Sequence, residues 1–199
     1  CGECVQACPT GALMPSSMVD AENRYLGDPE REVKSVCPYC GVGCQLTFKV
    51  KDNKIAAVDG VDGPANHNKL CVKGRYGFDY IHNDGRLTVP LIRREDAPKD
   101  HALDGSPADR FKQFRPTTWE EALAKAAEGL VKVRDTKGGA AMAGFGSAKG
   151  TNEEAYLFQK LVRTGFGTNN VDHCTRLCHA SSVAALMETI GSGAVTAPF

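Results

Sequence analysis

Four cysteines near the start of the chain constrain its fold more than any other feature. They form the pattern C-x2-C-x3-C-x26-C, made by Cys37, Cys40, Cys44 and Cys71. Three thiols within eight residues cannot all point outward from a regular helix or strand, so the chain must curl. Gly41 and Gly43 permit that curl, because glycine tolerates positive φ. Four convergent thiolates bind either zinc or an iron–sulfur cluster. Structural zinc usually takes two separate C-x2-C pairs, so this spacing favours a [4Fe–4S] cluster, with zinc and unliganded thiols as the alternatives.

The composition is that of an ordinary globular protein and excludes several functions. The chain has 199 residues, of which 42% are hydrophobic and 24% charged, and its formal net charge is zero. This balance gives no indication of binding to nucleic acid or to an anionic membrane. No apolar run approaches the length of a membrane span. The nine cysteines are clustered rather than spread as a disulfide framework, which favours metal binding in a reducing compartment and predicts a cytoplasmic protein.

The first residues are similar to the end of the bacterial ferredoxin pattern C-x2-C-x2-C-x3-C-P. Cys1, Cys4 and Cys8 match its last three cysteines and Pro9 matches its proline. The first cysteine of the pattern would lie upstream, so we expect the chain to be a fragment of a longer protein. In two-cluster ferredoxins the cysteine before proline binds the other cluster, which predicts a separate target for Cys8. A zinc site or free thiols are the alternative.

Changes in composition divide the chain into five predicted segments. They are a ferredoxin-like end at 1–15, a polar linker at 16–33, a cysteine domain at 34–93, a loop or insertion at 94–116 and an α/β segment at 117–199. Within the cysteine domain, alternating apolar residues at 46–50 and 55–58 predict a β-hairpin.

The last segment has the element order of a parallel α/β unit. Its predicted elements are a helix after a capping box at Thr118, a short buried strand at 140–145, a helix after a capping box at Thr151, a strand end at 170–172 and a helix at 181–190. A glycine loop at 146–150 follows the first of these strands. Such a loop can offer N–H groups to a phosphate, although an ordinary tight turn explains it equally well.

A second group of reactive residues follows the second predicted strand. Cys174 and Cys178 are four residues apart and can share a helix face. His179 and Arg176 beside Cys178 would favour its thiolate, which is a nucleophile and a soft metal ligand. Buried cysteine is common and inert, however, and from these residues alone the inert interpretation is favoured.

Taken together, these stretches resemble the catalytic α subunit of metal-dependent formate dehydrogenase, in the molybdopterin oxidoreductase (DMSO reductase) superfamily. The similar stretches are 1–13, 37–44, 70–74 with 76–77, 90–93, 118–122 and 167–179. The most specific is Cys178-His179, where that family has cysteine or selenocysteine followed by histidine. The resemblance implies an α/β protein. It would consist of the end of a ferredoxin-like 2[4Fe–4S] segment, a small β-rich [4Fe–4S] domain and the start of a Rossmann-like molybdopterin-binding domain.

The resemblance also implies a role for each candidate residue. Cys178 would bind molybdenum or tungsten beside two pterin dithiolenes, and His179 would move a proton or hydride equivalent. Lys73 would lie between one pterin and the [4Fe–4S] cluster held by Cys37, Cys40, Cys44 and Cys71. The residues implied to line the pterin guanine dinucleotide are Ser147, Lys149, Asn152, Glu153, Asn169 and Asn170.

The implied reaction is the oxidation of formate to CO2, with two electrons leaving through [4Fe–4S] clusters. The implied partners are iron–sulfur or flavin subunits of a hetero-oligomer that pass the electrons to NAD⁺. Two alternatives from the same superfamily remain. One is a non-catalytic subunit like the large iron–sulfur subunit of complex I, which the Cys178-His179 pair argues against. The other is a reductase such as periplasmic nitrate reductase, in which we expect a different residue after the cysteine. A zinc-stabilised binding module is a more distant alternative.

Overall fold

The computed structural model of the protein describes residues 1–97 and 112–193. The helices are α1 (Glu3–Ala7), α2 (Val72–Tyr76), α3 (Trp119–Lys137), α4 (Asn152–Lys160), α5 (Thr175–Cys178) and α6 (Ala180–Ile190). The strands are β1 (Arg31–Val36), β2 (Gln45–Lys51), β3 (Lys54–Gly60), β4 (Leu91–Arg93), β5 (Phe114–Pro116), β6 (Gly144–Gly146) and β7 (Val171–His173). Short 3₁₀ turns lie at Ser16–Met18, Asp79–His82 and Gly139–Ala141, and one π-helical turn, Leu161–Gly165, continues α4.

The largest sheet among the described residues is antiparallel and has the order β1-β2-β3. β2 and β3 form the predicted hairpin, and Asp52 and Asn53 make its turn with positive φ values of 48° and 56°. Asparagine and aspartate tolerate this left-handed conformation better than most residues. The core under the sheet is a cluster of the buried side chains Cys37, Leu46, Val58, Leu70 and Phe78. Cys37, one of the predicted ligands of the [4Fe–4S] cluster, therefore belongs to the hydrophobic core itself.

Two segments without a predicted strand contain one. Residues 31–33, predicted as linker, begin β1, whose six residues are all exposed. An exposed edge strand is held by backbone hydrogen bonds and needs no alternation of apolar residues, so hydrophobic periodicity does not predict it. Phe114–Pro116, predicted as part of a loop or insertion, forms β5 and pairs with β4. Residues 98–111 of that predicted loop lie outside the described residues.

The α/β segment contains one parallel strand pair. β6 and β7 lie side by side with Gly144 opposite Val171, and α4 connects them. The predicted capping box at Thr151 is complete: its hydroxyl accepts from the N–H of Glu154, whose carboxylate accepts from the N–H of Thr151. At Thr118 only half of the box forms, because the carboxylate of Glu121 binds Arg115 and Thr117 instead. The parallel order expected from the sequence is confirmed for these two strands.

The prediction of a buried strand at 140–145 is wrong. Gly139–Ala141 is a 3₁₀ turn, the strand covers only Gly144–Gly146, and Phe145 is 82% exposed. Gly144 packs tightly against Val162 and Phe158, so one face of the strand is covered. The described residues leave the opposite face open. α3 likewise has an apolar side chain that the described residues leave uncovered, since Trp119 is 66% exposed. Among the described residues, no helix is both long and apolar enough to cross a membrane.

Asn66 fastens the loop that leads from β3 to Cys71. Asn66 is only 8% exposed, and its side chain makes four hydrogen bonds. The oxygen accepts from the N–H of Gln45 at 3.0 Å, and the amide nitrogen donates to the carbonyls of Gln45, Val61 and Lys69 at 2.9, 3.1 and 3.0 Å. One buried amide therefore ties together three separate backbone segments.

Replacing Asn66 with alanine is expected to loosen this loop, because buried backbone groups lose their partners. We expect the local opening free energy to fall by about 2 kcal/mol, which corresponds to roughly thirtyfold faster amide exchange across residues 61–69. Hydrogen–deuterium exchange of the full-length protein measures this directly. Asn83→Ala is the control, since Asn83 makes one exposed contact with the N–H of Gly85. Equal exchange in both variants would contradict the role given to Asn66.

Candidate metal and cofactor site

The four cysteines of the main motif lie on the connections around the antiparallel sheet. Cys37 follows β1, Cys40 and Cys44 lie in the turn before β2, and Cys71 caps the start of α2. The N–H of Cys37 donates to the carbonyl of Cys44 at 2.8 Å, which closes the turn. Gly43 has a φ of 74°, as the predicted curl requires.

Gly41 serves the same turn in a different way from that expected. It is not among the glycines with positive φ. Its carbonyl instead accepts a hydrogen bond from the side-chain nitrogen of Asn152 at 2.7 Å, and a side chain on Gly41 would collide with that amide. This contact joins the cysteine turn to the start of α4.

The thiols are free and electrostatically coupled. Each of the nine cysteines lies in the described ranges and carries a free thiol. Burial raises the pKa of Cys37, and it raises the pKa of Cys44 together with the nearby charges of Cys37, Cys40 and Cys71. Thiolates this close repel one another, so a positively charged metal centre is needed to keep all four deprotonated.

The choice between a cluster and a single ion rests on the sequence spacing of the four cysteines, because two separate C-x2-C pairs are the usual zinc pattern. No three His, Cys, Asp or Glu side chains of the described ranges lie close enough to share one metal ion.

One cavity of about 730 Å³ brings most of the predicted site residues together. It lies between the cysteine turn, the start of α2, the glycine loop and the turn around α5. The predicted residues on its wall are Cys37, Cys40, Cys44, Cys71, Lys73, Ser147, Lys149, Cys178 and His179. Residues distant in the sequence, such as Cys71 and Cys178, thus face a common space of the size that bound cofactors occupy.

Four of the predicted dinucleotide contacts lie away from this cavity wall. Asn152 is held by Gly41, and Glu153 faces a shallow exposed groove along α4. Asn169 is exposed. The side chain of Asn170 donates to the carbonyls of Ala140 and Met142, both at 3.2 Å, and so supports the turn before β6. Their roles toward a dinucleotide stay predictions.

A second cavity of about 600 Å³ lies at the carboxyl ends of β6 and β7. Ser147 and Lys149 line both cavities. Ligands of parallel α/β sheets bind at the carboxyl ends of the strands. Within the glycine loop, the N–H of Ala148 donates to the sulfur of Cys174 and the N–H of Lys149 donates to the hydroxyl of Ser147, both at 3.1 Å, so the loop would contact a ligand through its side chains.

The Cys178 and His179 pair sits at the end of α5. The imidazole Nδ1 of His179 lies 3.4 Å from the hydroxyl of Thr175, which is itself 2.6 Å from Nδ1 of His173. Arg176, expected to favour the Cys178 thiolate, pairs instead with the carboxylate of Asp172. The N–H of His173 and then this guanidinium lower the pKa of Asp172.

Cys174 and Thr175 were missed as positioning residues. The N–H of Ala148 donates to the sulfur of Cys174 at 3.1 Å, and the N–H of Cys174 donates to the carbonyl of Gly146 at 3.2 Å. These bonds hold the glycine loop against the turn that carries Cys178. The only signal in the sequence was the four-residue spacing of the two cysteines.

The first three cysteines lie apart from the main cavity. Cys1 precedes α1 and Cys4 lies on it. Both are exposed, and Cys8 follows the last residue of that helix. Hydrogen bonds from the Thr10 hydroxyl, and then from the backbone N–H of Leu13, lower the pKa of the Cys8 thiol to about 7. A thiol of this kind deprotonates readily, as a metal ligand must.

Two family models match the chain and decide its family. The molybdopterin oxidoreductase Fe4S4 domain matches residues 30–83, and molybdopterin oxidoreductase matches residues 86–197, more than half of the sequence. The chain belongs to the molybdopterin oxidoreductase family. Members of this family bind a [4Fe–4S] cluster and a molybdopterin cofactor with molybdenum or tungsten, and the donor set described above fits both groups. This match rules out the alternative of a zinc-stabilised binding module.

Relatives of this molybdopterin oxidoreductase include two provisionally named formate dehydrogenases. The one from Staphylococcus aureus (strain bovine RF122 / ET3-1) is 34% identical over 229 residues. The one from Staphylococcus haemolyticus (strain JCSC1435) is 33% identical over 230 residues. Each alignment covers 97% of the chain but 22% of the relative, so the chain spans about a fifth of the length of these relatives.

Proposed function

We propose that the chain is part of the catalytic subunit of a formate dehydrogenase, which oxidises formate to CO2. The observation that carries the proposal is the single cavity shared by the four cysteines, Lys73, Cys178 and His179. The similarity of the chain to two staphylococcal proteins named as formate dehydrogenases supports the choice of formate as substrate.

The residues of the cavity match the groups that this reaction needs. Cys37, Cys40, Cys44 and Cys71 would hold the [4Fe–4S] cluster, and Cys178 would bind the metal of a bis-molybdopterin guanine dinucleotide centre. When bound, that centre supplies two-electron chemistry while the cluster accepts single electrons. The thiolate of Cys178 is a soft, charged ligand, which suits molybdenum or tungsten.

His179 and Lys73 act beside these ligands in the proposal. The imidazole of His179 would hold or move a proton at Nε2, since Nδ1 faces the hydroxyl of Thr175. Lys73, two residues after Cys71 and on the same cavity wall, would place a cation beside the cluster and hydrogen-bond one pterin. Ser147 and Lys149 would contact the dinucleotide, because they line the cavities on both sides of the glycine loop.

The domain organisation predicted from the sequence is retained as part of the proposal. Residues 1–15 would end a ferredoxin-like segment, 34–93 would form the cluster domain, and 117–199 would begin a Rossmann-like domain. The parallel pair β6 and β7 with its crossover helix supports the last assignment. Iron–sulfur clusters held in part by Cys1, Cys4 and Cys8 would pass electrons outward, to iron–sulfur or flavin subunits and NAD⁺. The clustered free thiols support a reducing, cytoplasmic location.

The full-length protein tests the proposal by its metal content and its substrate. We expect molybdenum or tungsten together with iron and sulfide, and formate-dependent reduction of a viologen dye. A purified protein that contains iron and sulfide but never molybdenum or tungsten would support the complex I-like alternative. A protein that reduces nitrate with reduced viologen, and leaves formate untouched, would support the nitrate reductase alternative.

A further inference from the structure

Arg75 is the bulkiest fully buried side chain among the described residues. It is 2% exposed and lies on α2, four residues after the cluster ligand Cys71. Arginine is rarely buried unless its charge is paired and its N–H groups are hydrogen-bonded. Nothing in the chemistry proposed for the cavity uses Arg75, so its burial requires another explanation.

The guanidinium of Arg75 joins the N-terminal helix to the antiparallel sheet. Nη2 donates to Oε1 of Glu3 at 2.6 Å and to Oε1 of Gln6 at 2.9 Å. Nη1 donates to Oδ1 of Asp59, on β3, at 3.3 Å. One side chain therefore holds two residues of α1 and one carboxylate of the sheet at the same time.

Glu3 and Gln6 make further bonds to the same domain. Oε1 of Glu3 also accepts from the N–H of Leu70 at 2.8 Å, and this bond, followed by Arg75, lowers the pKa of the carboxyl group. Gln6 bonds the backbone of Gly60 in both directions, each at 2.9 Å. A helix of five residues has little stability of its own, so these contacts hold it in place.

Gly2 shows that α1 lies directly against α2. Its φ of 85° is in the left-handed region, and a side chain there would collide with Arg75 and with the hydroxyl of Tyr76. Gly2, Glu3 and Gln6 are three of the five residues that lie between Cys1, Cys4 and Cys8. These three spacers thus face the cluster domain, while Cys1 and Cys4 remain exposed.

We infer that Arg75 is a positioning residue that clamps the N-terminal cysteine segment onto the helix that begins at Cys71, and thereby fixes the separation of two iron–sulfur sites. The inference rests on the proposed function in so far as Cys1, Cys4 and Cys8 bind iron–sulfur clusters. Electron transfer between these two sites moves one electron from the reduced cluster to the oxidised one, and no bond forms or breaks. Because electron tunnelling weakens steeply with distance, a fixed separation sets the rate of that exchange.

The test compares Arg75→Met and Arg75→Lys with Arg31→Met in the full-length holoenzyme. Arg31 is an exposed arginine whose Nη2 donates to Asn53 across the sheet, and it serves as the matched control. Hydrogen–deuterium exchange reports the docking of residues 2–8. Electron paramagnetic resonance of the dithionite-reduced protein reports the magnetic interaction between neighbouring clusters. We expect Arg75→Met to speed exchange at residues 2–8 at least tenfold and to weaken the magnetic interaction, Arg75→Lys to restore part of both, and Arg31→Met to change neither.

Two further variants keep the inference testable if Arg75→Met does not fold. Glu3→Gln and Gln6→Ala alter the clamp from the N-terminal side and leave Arg75 in the core, and both should speed exchange at residues 2–8. Unchanged exchange in every clamp variant overturns the docking role. Faster exchange with an unchanged magnetic interaction overturns the role in cluster spacing. Neither readout uses formate or molybdenum, so failure of the proposed reaction leaves both results interpretable.

Discussion

Replacing Cys178 with alanine is expected to abolish formate oxidation in the full-length protein and to leave the spectrum of the [4Fe–4S] cluster intact. Alanine offers the molybdenum or tungsten no ligand, and the hydroxyl of a serine is a harder donor than the thiolate. The cluster survives because its proposed ligands are separate residues of the cavity wall. Metal content, cluster absorption and formate-dependent dye reduction are measured on the same preparation.

Cys174→Ala is the matched control for Cys178→Ala. Both cysteines line the same cavity, but the sulfur of Cys174 accepts from the N–H of Ala148 and is occupied in holding the glycine loop. We expect Cys174→Ala to retain the metal and most of the rate. If Cys178→Ala keeps full activity while Cys174→Ala loses its metal, the ligand is Cys174. If both keep metal and activity, neither thiol is a ligand.

The parts of the site that the sequence predicted are those whose chemistry is local. The spacing of Cys37, Cys40 and Cys44 requires a tight turn around something, and the structure has that turn with its positive φ at Gly43. The alternation at 46–50 likewise predicted the hairpin, because one face of β2 packs on the core. In both cases the signal lies within a few neighbouring residues.

The parts that it did not predict depend on contacts between distant residues. Arg75 contacts Glu3, which lies 72 residues earlier in the sequence, and nothing near Arg75 in the sequence marks it as buried. In the sequence Asn66 is an ordinary polar loop residue, and only its four hydrogen bonds to Gln45, Val61 and Lys69 show its role. For Phe145 the prediction was wrong in the opposite sense. An apolar residue in a short strand predicts burial, but among the described residues nothing covers its face. Whether a side chain is buried depends on the packing of the whole molecule. Sequence periodicity predicts burial only where apolar residues recur regularly along one face of a helix or strand.

The packing of the glycine loop illustrates how the separate parts become one site. Asn152 binds the carbonyl of Gly41 in the cysteine turn, and Cys174 binds the N–H of Ala148 in the loop. The first contact sets the α/β unit against the cluster domain, and the second sets the Cys178 turn against the glycine loop. Two hydrogen bonds that do not involve the proposed metal ligands therefore join the elements that line the cavity.

His179→Ala is expected to retain molybdenum or tungsten but to slow formate oxidation by roughly 10²–10⁴-fold, the usual contribution of a positioned acid or base. The metal is retained because the proposed ligand, Cys178, is unchanged. The bond from His179 Nδ1 to the hydroxyl of Thr175, at 3.4 Å, orients the ring and leaves Nε2 for the proton. The rate should also lose the part of its pH dependence that the imidazole provides, which a purely structural residue would not alter. Turnover is measured across pH beside metal content.

His67→Asn is the control for this experiment. The imidazole of His67 is exposed, lies 3.6 Å from the carboxylate of Asp62 and does not line the cavity, and asparagine tolerates its positive φ of 44°. We expect its turnover and pH profile to match those of the unaltered protein. A His179→Ala enzyme with full metal and an unchanged pH profile would show that the proton leaves by another route. Thr175→Val, which removes the hydroxyl shared by His179 and His173, should produce a smaller loss of the same kind, because the imidazole remains but its orientation is less restricted.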